Sequence, residues 1–175
     1  MGIWIAIAVA LFVLGSMLAL KPNGIDQRLD ALRMSARRLG LNPKLIACPD
    51  WIRGRDEELG RGMMGQYGLV LDNIQLPSLR YQVIDGHFRV LDSDDKSQKT
   101  AFLLDNVPVD LPPTIAPFAK ALYIKANSIV IFWEDVNYVR PKTNPNYQKA
   151  QIEPDLLALK SRLEALATQL QQSLK

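Results

Sequence analysis

The sequence contains one cysteine and one histidine among its 175 residues, Cys48 and His87. A zinc site of the common kind needs about four such ligands, so one chain cannot supply it. A lone cysteine forms no internal disulfide, and we interpret Cys48 as a small buried hydrophobe. The sequence also places no nucleophile beside His87, as nucleophilic catalysis would require. It therefore predicts no metal, no cofactor and no catalytic residue.

Phosphate-binding and dinucleotide-binding motifs are also lacking. The spacing of Gly60, Gly62 and Gly65 does not match a P-loop, and we interpret residues 50–68 as a surface loop with a helical turn at 56–59. No stretch combines dense basic residues with aromatic ones, which argues against a nucleic-acid partner. We predict that the chain is not an enzyme, and a membrane-tethered enzyme of unknown reaction is the alternative.

Charge is absent from the first twenty residues, MGIWIAIAVALFVLGSMLAL. A helix of this length spans about 30 Å, the thickness of a bilayer's hydrocarbon core. No basic residue precedes the run and residues 17–20 are a poor cleavage site, so we predict an uncleaved transmembrane anchor over residues 1–21. A cleaved signal peptide and a buried helix are the alternatives. The large apolar residues of the predicted anchor are Ile3, Trp4, Ile5, Ile7, Val9, Leu11, Phe12, Val13, Leu14, Leu18 and Leu20.

Basic residues follow this apolar run, and none precedes it. They are Lys21, Arg28, Arg33, Arg37 and Arg38. By the positive-inside rule, they predict a single pass through a bacterial inner membrane, with the N-terminus outside and the remaining chain cytoplasmic. The inverted topology is the alternative. We expect these basic side chains to face anionic lipid.

An amphipathic helix is predicted in the juxtamembrane segment 22–40. Leu29, Leu32, Ala36 and Leu39 recur at spacings of three and four, and Gly40 suits the position after the helix. Lying on lipid and packing on the chain's own domain are the two interpretations of this helix.

Strands dominate the predicted soluble domain, residues 41–140. In LRYQVI-DG-HFRVL, the Asp85-Gly86 pair favours a type I′ turn, and it pairs Ile84 with His87 and Val83 with Phe88. Further strands are predicted at residues 41–47, 67–71, 100–104, 122–124 and 129–133, with a polar loop at 93–99. The last strand is apolar on both faces, which indicates a central, covered position.

A leucine-rich helix is predicted over residues 154–175, after a linker at 141–153. Its heptad-like leucines are Leu156, Leu159, Leu163, Leu166 and Leu170. This seam has three interpretations: a dimerising helix, a helix that docks on a protein partner, and a helix folded onto the sheet. We predict that it contacts a partner or a second copy.

The boundary Leu18-Ala19-Leu20-Lys21-Pro22, followed by a basic helix, resembles the small auxiliary subunit of the bacterial Sec preprotein translocase over about forty residues. The chain is also similar to uncharacterised single-span inner-membrane proteins of proteobacteria. Neither resemblance implies functional residues. Taken together, the sequence predicts an α+β fold with a small, mostly antiparallel sheet. It further predicts an anchored accessory or scaffold protein acting through protein–protein interaction at the cytoplasmic face.

Overall fold

The computed structural model of the chain describes residues 2–19, 23–52, 62–93 and 103–173. Its elements are α1 (Gly2–Ala19), α2 (Gly24–Arg38), β1 (Asn42–Ala47), β2 (Met63–Val70), β3 (Leu76–Ile84), β4 (His87–Ser93), β5 (Ala119–Ala126), β6 (Ser128–Trp133), α3 (Asp135–Val139) and α4 (Ile152–Gln172). Short 3-10 turns cover Ala116–Phe118 and Lys149–Gln151.

The six strands form one antiparallel sheet in the order β1-β2-β6-β5-β3-β4. The predicted α+β class is therefore confirmed. Strand β6 lies inside the sheet and has buried residues on both faces, as its apolar run predicted. Ile131 and Trp133 belong to the main core on the helical face, whereas Phe132 belongs to a smaller core on the second face.

The β3–β4 hairpin has the predicted turn and register. Asp85 and Gly86 have φ angles of 53° and 74°, as a type I′ turn requires. Ile84 pairs with His87, and Val83 pairs with Phe88. Local turn chemistry and two-residue alternation were thus sufficient to predict this part of the fold.

Two strand predictions need correction. Strand β2 begins at Met63, four residues before the predicted start, so the predicted surface loop is wrong for residues 63–68. The glycines of this segment had suggested a loop, because glycine is unusual inside strands. In β2, Gly65 leaves the space that the Asp135 side chain occupies. Leu103 and Leu104 lie in a turn rather than a strand. The helical turn at 56–59 and most of the polar loop at 93–99 lie outside the described residues.

Helix α2 packs on the chain's own domain, the second of its two interpretations. The Asn23 side chain accepts a weak hydrogen bond from Ile25 N at 3.5 Å, and Gly40 has a φ angle of 80° beyond the helix end. Leu32 and Ala36 are fully buried in the main core. The helix therefore belongs to the same hydrophobic core as the sheet and α4.

The leucine seam of α4 also lies inside the domain. Leu156, Leu159, Leu163 and Leu170 are buried in the main core, and Leu166 packs against it. This is the third interpretation of the seam, a helix folded onto the sheet. The assignment of these five leucines to partner docking is accordingly corrected, because core packing covers the side chains that a partner would need. Whether the chain has a partner elsewhere stays a prediction.

Truncating a seam leucine is expected to destabilise the domain. Leu163 is 1% exposed, so Leu163→Ala should lower the free energy of unfolding by about 3 kcal/mol through lost burial and a residual cavity. Leu157 lies on the same helix and is 49% exposed, so Leu157→Ala is the matched control and should cost less than about 1 kcal/mol. Urea denaturation measures both. Equal effects would show that the seam is not in the core.

Helix α1 exposes its large apolar side chains between Ile3 and Leu14. Trp4 is 73% exposed and Phe12 is 79% exposed, and neither belongs to the domain's hydrophobic clusters. Within the parts of the chain that the structure describes, no helix meets the combined length and apolarity needed to cross a membrane.

Candidate functional site

A buried ion pair joins α2 to the sheet. The Arg33 Nε donates to Asp135 Oδ2 at 2.9 Å, and Arg33 Nη2 lies 2.9 Å from the same oxygen. The Tyr67 hydroxyl donates to this oxygen at 3.2 Å. Asp135 and Tyr67 are fully buried, whereas the Arg33 side chain retains 16% exposure. We call Arg33, Asp135 and Tyr67 the ion-pair cluster.

Gly65 makes room for the ion-pair cluster. It lies on β2 opposite Trp133, directly beneath the start of α3, where Asp135 points back at the sheet. A Cβ atom at Gly65 would lie 2.7 Å from Asp135 Cγ and 2.9 Å from a ring carbon of Tyr67. Asp135 and Tyr67 are both buried and joined by a hydrogen bond, so neither side chain can move aside without breaking that bond.

Adding a methyl group at Gly65 is therefore expected to destabilise the domain. Gly65→Ala should lower the free energy of unfolding by about 2 kcal/mol, in the range of overpacked cores. The matched control is Gly68→Ala on the same strand. Its Cβ would meet only a Val130 methyl at 3.6 Å, an ordinary contact. Thermal unfolding compares the two variants, and a Gly65→Ala variant as stable as Gly68→Ala would contradict the close approach.

Burial dominates the electrostatics of this cluster. Desolvation raises the pKa of the Asp135 carboxyl, although the charge and hydrogen bond of Arg33 act to lower it. The same burial, together with the Asp135 charge, raises the pKa of Tyr67 well above its usual range. Desolvation therefore disfavours the charged form of Asp135 by more than the interaction with Arg33 favours it. Such a balance is common for buried ion pairs.

An aromatic series continues from the ion-pair cluster toward α4. Tyr67 packs edge-on against Trp133, Trp133 against Tyr138, and Tyr138 against Tyr147, with ring centroids 5.1–5.9 Å apart. The Tyr138 hydroxyl donates to Asp155 Oδ2 of α4 at 2.8 Å. These contacts connect the sheet, α3 and α4. Desolvation and Asp155 raise the pKa of Tyr138, which keeps its hydroxyl protonated as a donor.

The basic residues predicted to face lipid divide into two groups. The Arg33 side chain enters the domain, and the Arg28 guanidinium lies over the Tyr147 ring at 5.2 Å. Arg37 and Arg38 are exposed in the last turn of α2, and Lys21 lies outside the described residues. Contact between these residues and lipid stays a prediction. The sequence did not reveal that Arg28 and Arg33 contact other residues of the domain.

A second group of side chains lies on the sheet face opposite the helices. The Arg80 guanidinium lies 5.8 Å from the Trp51 ring centroid and 5.6 Å from that of Tyr123. Gln82 Nε2 donates to the Trp51 backbone carbonyl at 3.0 Å and holds residues 48–52 against this face. Trp51 also packs edge-on against Phe132. No described helix packs on this face, and its residues Tyr123 and Val130 are partly exposed. We call it the open sheet face.

His87 and Cys48, the residues weighed for metal binding or nucleophilic chemistry, lie in different surroundings. His87 Nδ1 lies 2.9 Å from the Asp85 carbonyl at the hairpin tip. Burial and the charges of Asp50 and Glu134 raise the pKa of the half-buried Cys48 thiol, which disfavours the reactive thiolate. Among the described residues, no group of three or more histidine, cysteine, aspartate or glutamate side chains could hold a metal ion.

Comparisons with protein-family models, with curated proteins and with solved structures found no match for this chain. Both resemblances stated from the sequence therefore stay predictions.

Proposed function

We propose that the chain is a membrane-anchored accessory or scaffold protein. Helix α1 holds it in the bilayer, and the α+β domain binds a protein partner. The observation that carries this proposal is the exposure of α1. Its described large apolar side chains, including Ile3, Trp4 and Phe12, are exposed rather than packed on the domain. Water disfavours such a surface, whereas lipid accepts it.

The length of α1 is compatible with membrane insertion when the bilayer adapts to it. Eighteen residues make a helix of about 27 Å, slightly less than the hydrocarbon core of about 30 Å. Local thinning and flanking side chains accommodate such a mismatch at modest cost. The apolar run of the sequence also continues through Leu20. Trp4 near one end suits the headgroup region.

Two features of the domain support a binding role: its buried carboxyl groups have structural hydrogen bonds, and one sheet face has partly exposed apolar side chains. The carboxyl groups of Asp135 and Asp155 are buried, accept hydrogen bonds from Tyr67 and Tyr138, and connect secondary-structure elements. They hold the fold together from inside, away from solvent. The open sheet face carries half-buried Tyr123 and Val130, a surface suited to contact with another protein.

Crosslinking in cells tests the binding role. A photoreactive residue at Val130 or Lys125 on the open sheet face should give a crosslinked adduct of discrete mass after irradiation. Ser161 is exposed on α4 and provides the control position. Adducts from the sheet positions alone support the proposal. No discrete adduct at either position, or equal adducts at Ser161, would contradict a specific partner on this face.

The proposed orientation places the C-terminal domain in the cytoplasm. The flanking charge supports it, because basic residues follow α1 in the sequence. Reporter fusions after Lys175 measure the topology directly. A cytoplasm-active reporter should function and a periplasm-active reporter should not, and the reverse pattern would establish the inverted topology.

A further inference from the structure

The strand register places basic residues at both edges of the open sheet face. Residues that pair across a sheet point to the same face, so a row of successive partners shares one side. One such row crosses all six strands and includes Gln82, whose side chain bonds the Trp51 carbonyl on the open sheet face. Lys44 on β1 and Arg89 on β4 are the two ends of this row, so both lie on the open sheet face. The members of the row, from β1 to β4, are Lys44, Gln66, Phe132, Ala121, Gln82 and Arg89.

Apolar side chains occupy the middle of the open sheet face. Val130 and Tyr123 pair with each other and lie two residues from Phe132 and Ala121 of the row, so they share its face. Both are partly exposed and pack against the small core of this face. Lys125 lies two residues beyond Tyr123 on the same side. In the plane of the sheet, Val130 and Tyr123 therefore lie inside the triangle formed by Lys125 and the two basic ends of the row.

The charge on the sheet is mainly positive. The six strands carry five lysine and arginine residues and a single acidic residue, Asp92, and Asp50 follows β1. Three of the basic side chains, Lys44, Arg89 and Lys125, are exposed on the open sheet face. Within the described ranges, no carboxylate lies within ion-pair distance of any of the three. The open sheet face therefore offers positive charge to an incoming partner.

The aromatic rings of this face are already in contact with a cation. The Arg80 guanidinium lies within 5.8 Å of both the Trp51 and the Tyr123 ring centroids, and these two centroids are 6.5 Å apart. A sheet that binds single-stranded nucleic acid needs ring faces on which bases can stack. Bases would have to displace Arg80 to reach these rings. This packing favours a protein partner over nucleic acid.

We propose that the open sheet face binds an acidic segment of a partner protein. Apolar side chains of the segment contact Val130 and Tyr123, and its aspartate and glutamate carboxylates pair with the three exposed basic side chains. Protein interfaces commonly have an apolar centre inside a polar rim, and complementary charge gives them specificity. Six strands span about 24 Å, which about seven extended residues cross. This inference rests on the proposed binding role and deepens it, because it names the chemistry of the partner.

Charge reversal in the full chain tests the inference in cells. A photoreactive residue at Val130 reports the partner as a crosslinked adduct. Lys44→Glu with Arg89→Glu should reduce the yield of this adduct at least about tenfold, because like charges across an interface repel. Lys142→Glu with Lys149→Glu makes the same change of charge at two exposed positions outside the sheet and should leave the yield unchanged. Mass spectrometry should identify the crosslinked peptide as rich in aspartate and glutamate.

The outcomes separate this inference from the binding role. An adduct whose yield survives the charge reversal, or whose peptide has no excess of acidic residues, overturns the acidic partner and leaves the binding role standing. An adduct removed by nuclease or extracted with lipid overturns both, as does the absence of an adduct at Val130 and Lys125. If the charge-reversed chain has a lower unfolding temperature, Lys44→Gln with Arg89→Gln replaces it, and an unchanged yield in that variant overturns the inference.

Discussion

Replacing Asp135 by alanine is expected to lower the free energy of unfolding by about 3 kcal/mol. The substitution leaves the Arg33 guanidinium against the sheet without its carboxylate, and it removes the acceptor of the Tyr67 hydroxyl. Removing one member of a buried ion pair costs about 3–5 kcal/mol, and the residual exposure of Arg33 places the expected loss at the lower end. Denaturant unfolding measured by circular dichroism gives the value.

Two further variants show whether this loss comes from the orphaned charge. Arg33→Met combined with Asp135→Leu should recover most of the lost stability, because apolar replacements of both partners are often neutral. Asp110→Ala breaks the exposed ion pair with Arg162 and should cost less than about 1 kcal/mol. A double variant as unstable as Asp135→Ala would instead attribute the loss to packing around Asp135.

The pH dependence of these variants follows from the raised pKa of Asp135. The folded state binds this proton more tightly than the unfolded chain, so the carboxyl contributes most stability at pH values below its unfolded pKa. That contribution is lost as the pH rises through the folded-state pKa. The stability of the parent chain minus that of the double variant should therefore decrease over this interval. An increase would mean that Arg33 outweighs burial.

Charged residues in α1 are expected to have the largest effect on location. Val9→Asp combined with Phe12→Asp places two carboxylates near the middle of the helix, each opposing membrane insertion by about 3 kcal/mol. The doubly substituted chain should leave the membrane fraction. Val9→Leu with Phe12→Leu keeps the same positions apolar and should stay there. Cell fractionation followed by immunoblotting compares the two.

The same substitutions should not affect the folded domain. Val9 and Phe12 are exposed and belong to neither hydrophobic cluster, so the domain's thermal unfolding should be unchanged within about 0.5 kcal/mol. A large loss of stability would show that α1 packs on the domain, and loss from the membrane fraction could then result from misfolding.

Local patterns predicted much of the fold. The Asp85-Gly86 turn determined the register of the β3–β4 hairpin, and the alternation of the two strands agrees with it. Gly40 lies just beyond α2, with the positive φ angle that a helix C-terminus favours. The apolar run of β6 indicated a strand covered on both faces because few other positions accept five successive large apolar residues. In each case the determining contacts lie within a few residues along the chain.

Long-range contacts account for what the sequence did not predict. Arg33 and Asp135 are 102 positions apart, and no local pattern shows that they meet. The glycines of β2 suggested a loop, whereas Gly65 is needed as a strand residue small enough to admit Asp135. The periodicity of the α4 leucines revealed an apolar face but not which surface covers it. Two acidic residues, Glu134 and Asp135, directly after a strand of five successive apolar residues are a signal that could have indicated the cluster.

Alkaline carbonate extraction of membranes tests the central claim most directly. Carbonate releases peripheral proteins and leaves proteins held by inserted helices in the membrane pellet. The full chain should stay in the pellet, and the Val9→Asp/Phe12→Asp chain should be soluble before extraction. Release of the full chain into the carbonate supernatant would contradict anchoring by α1.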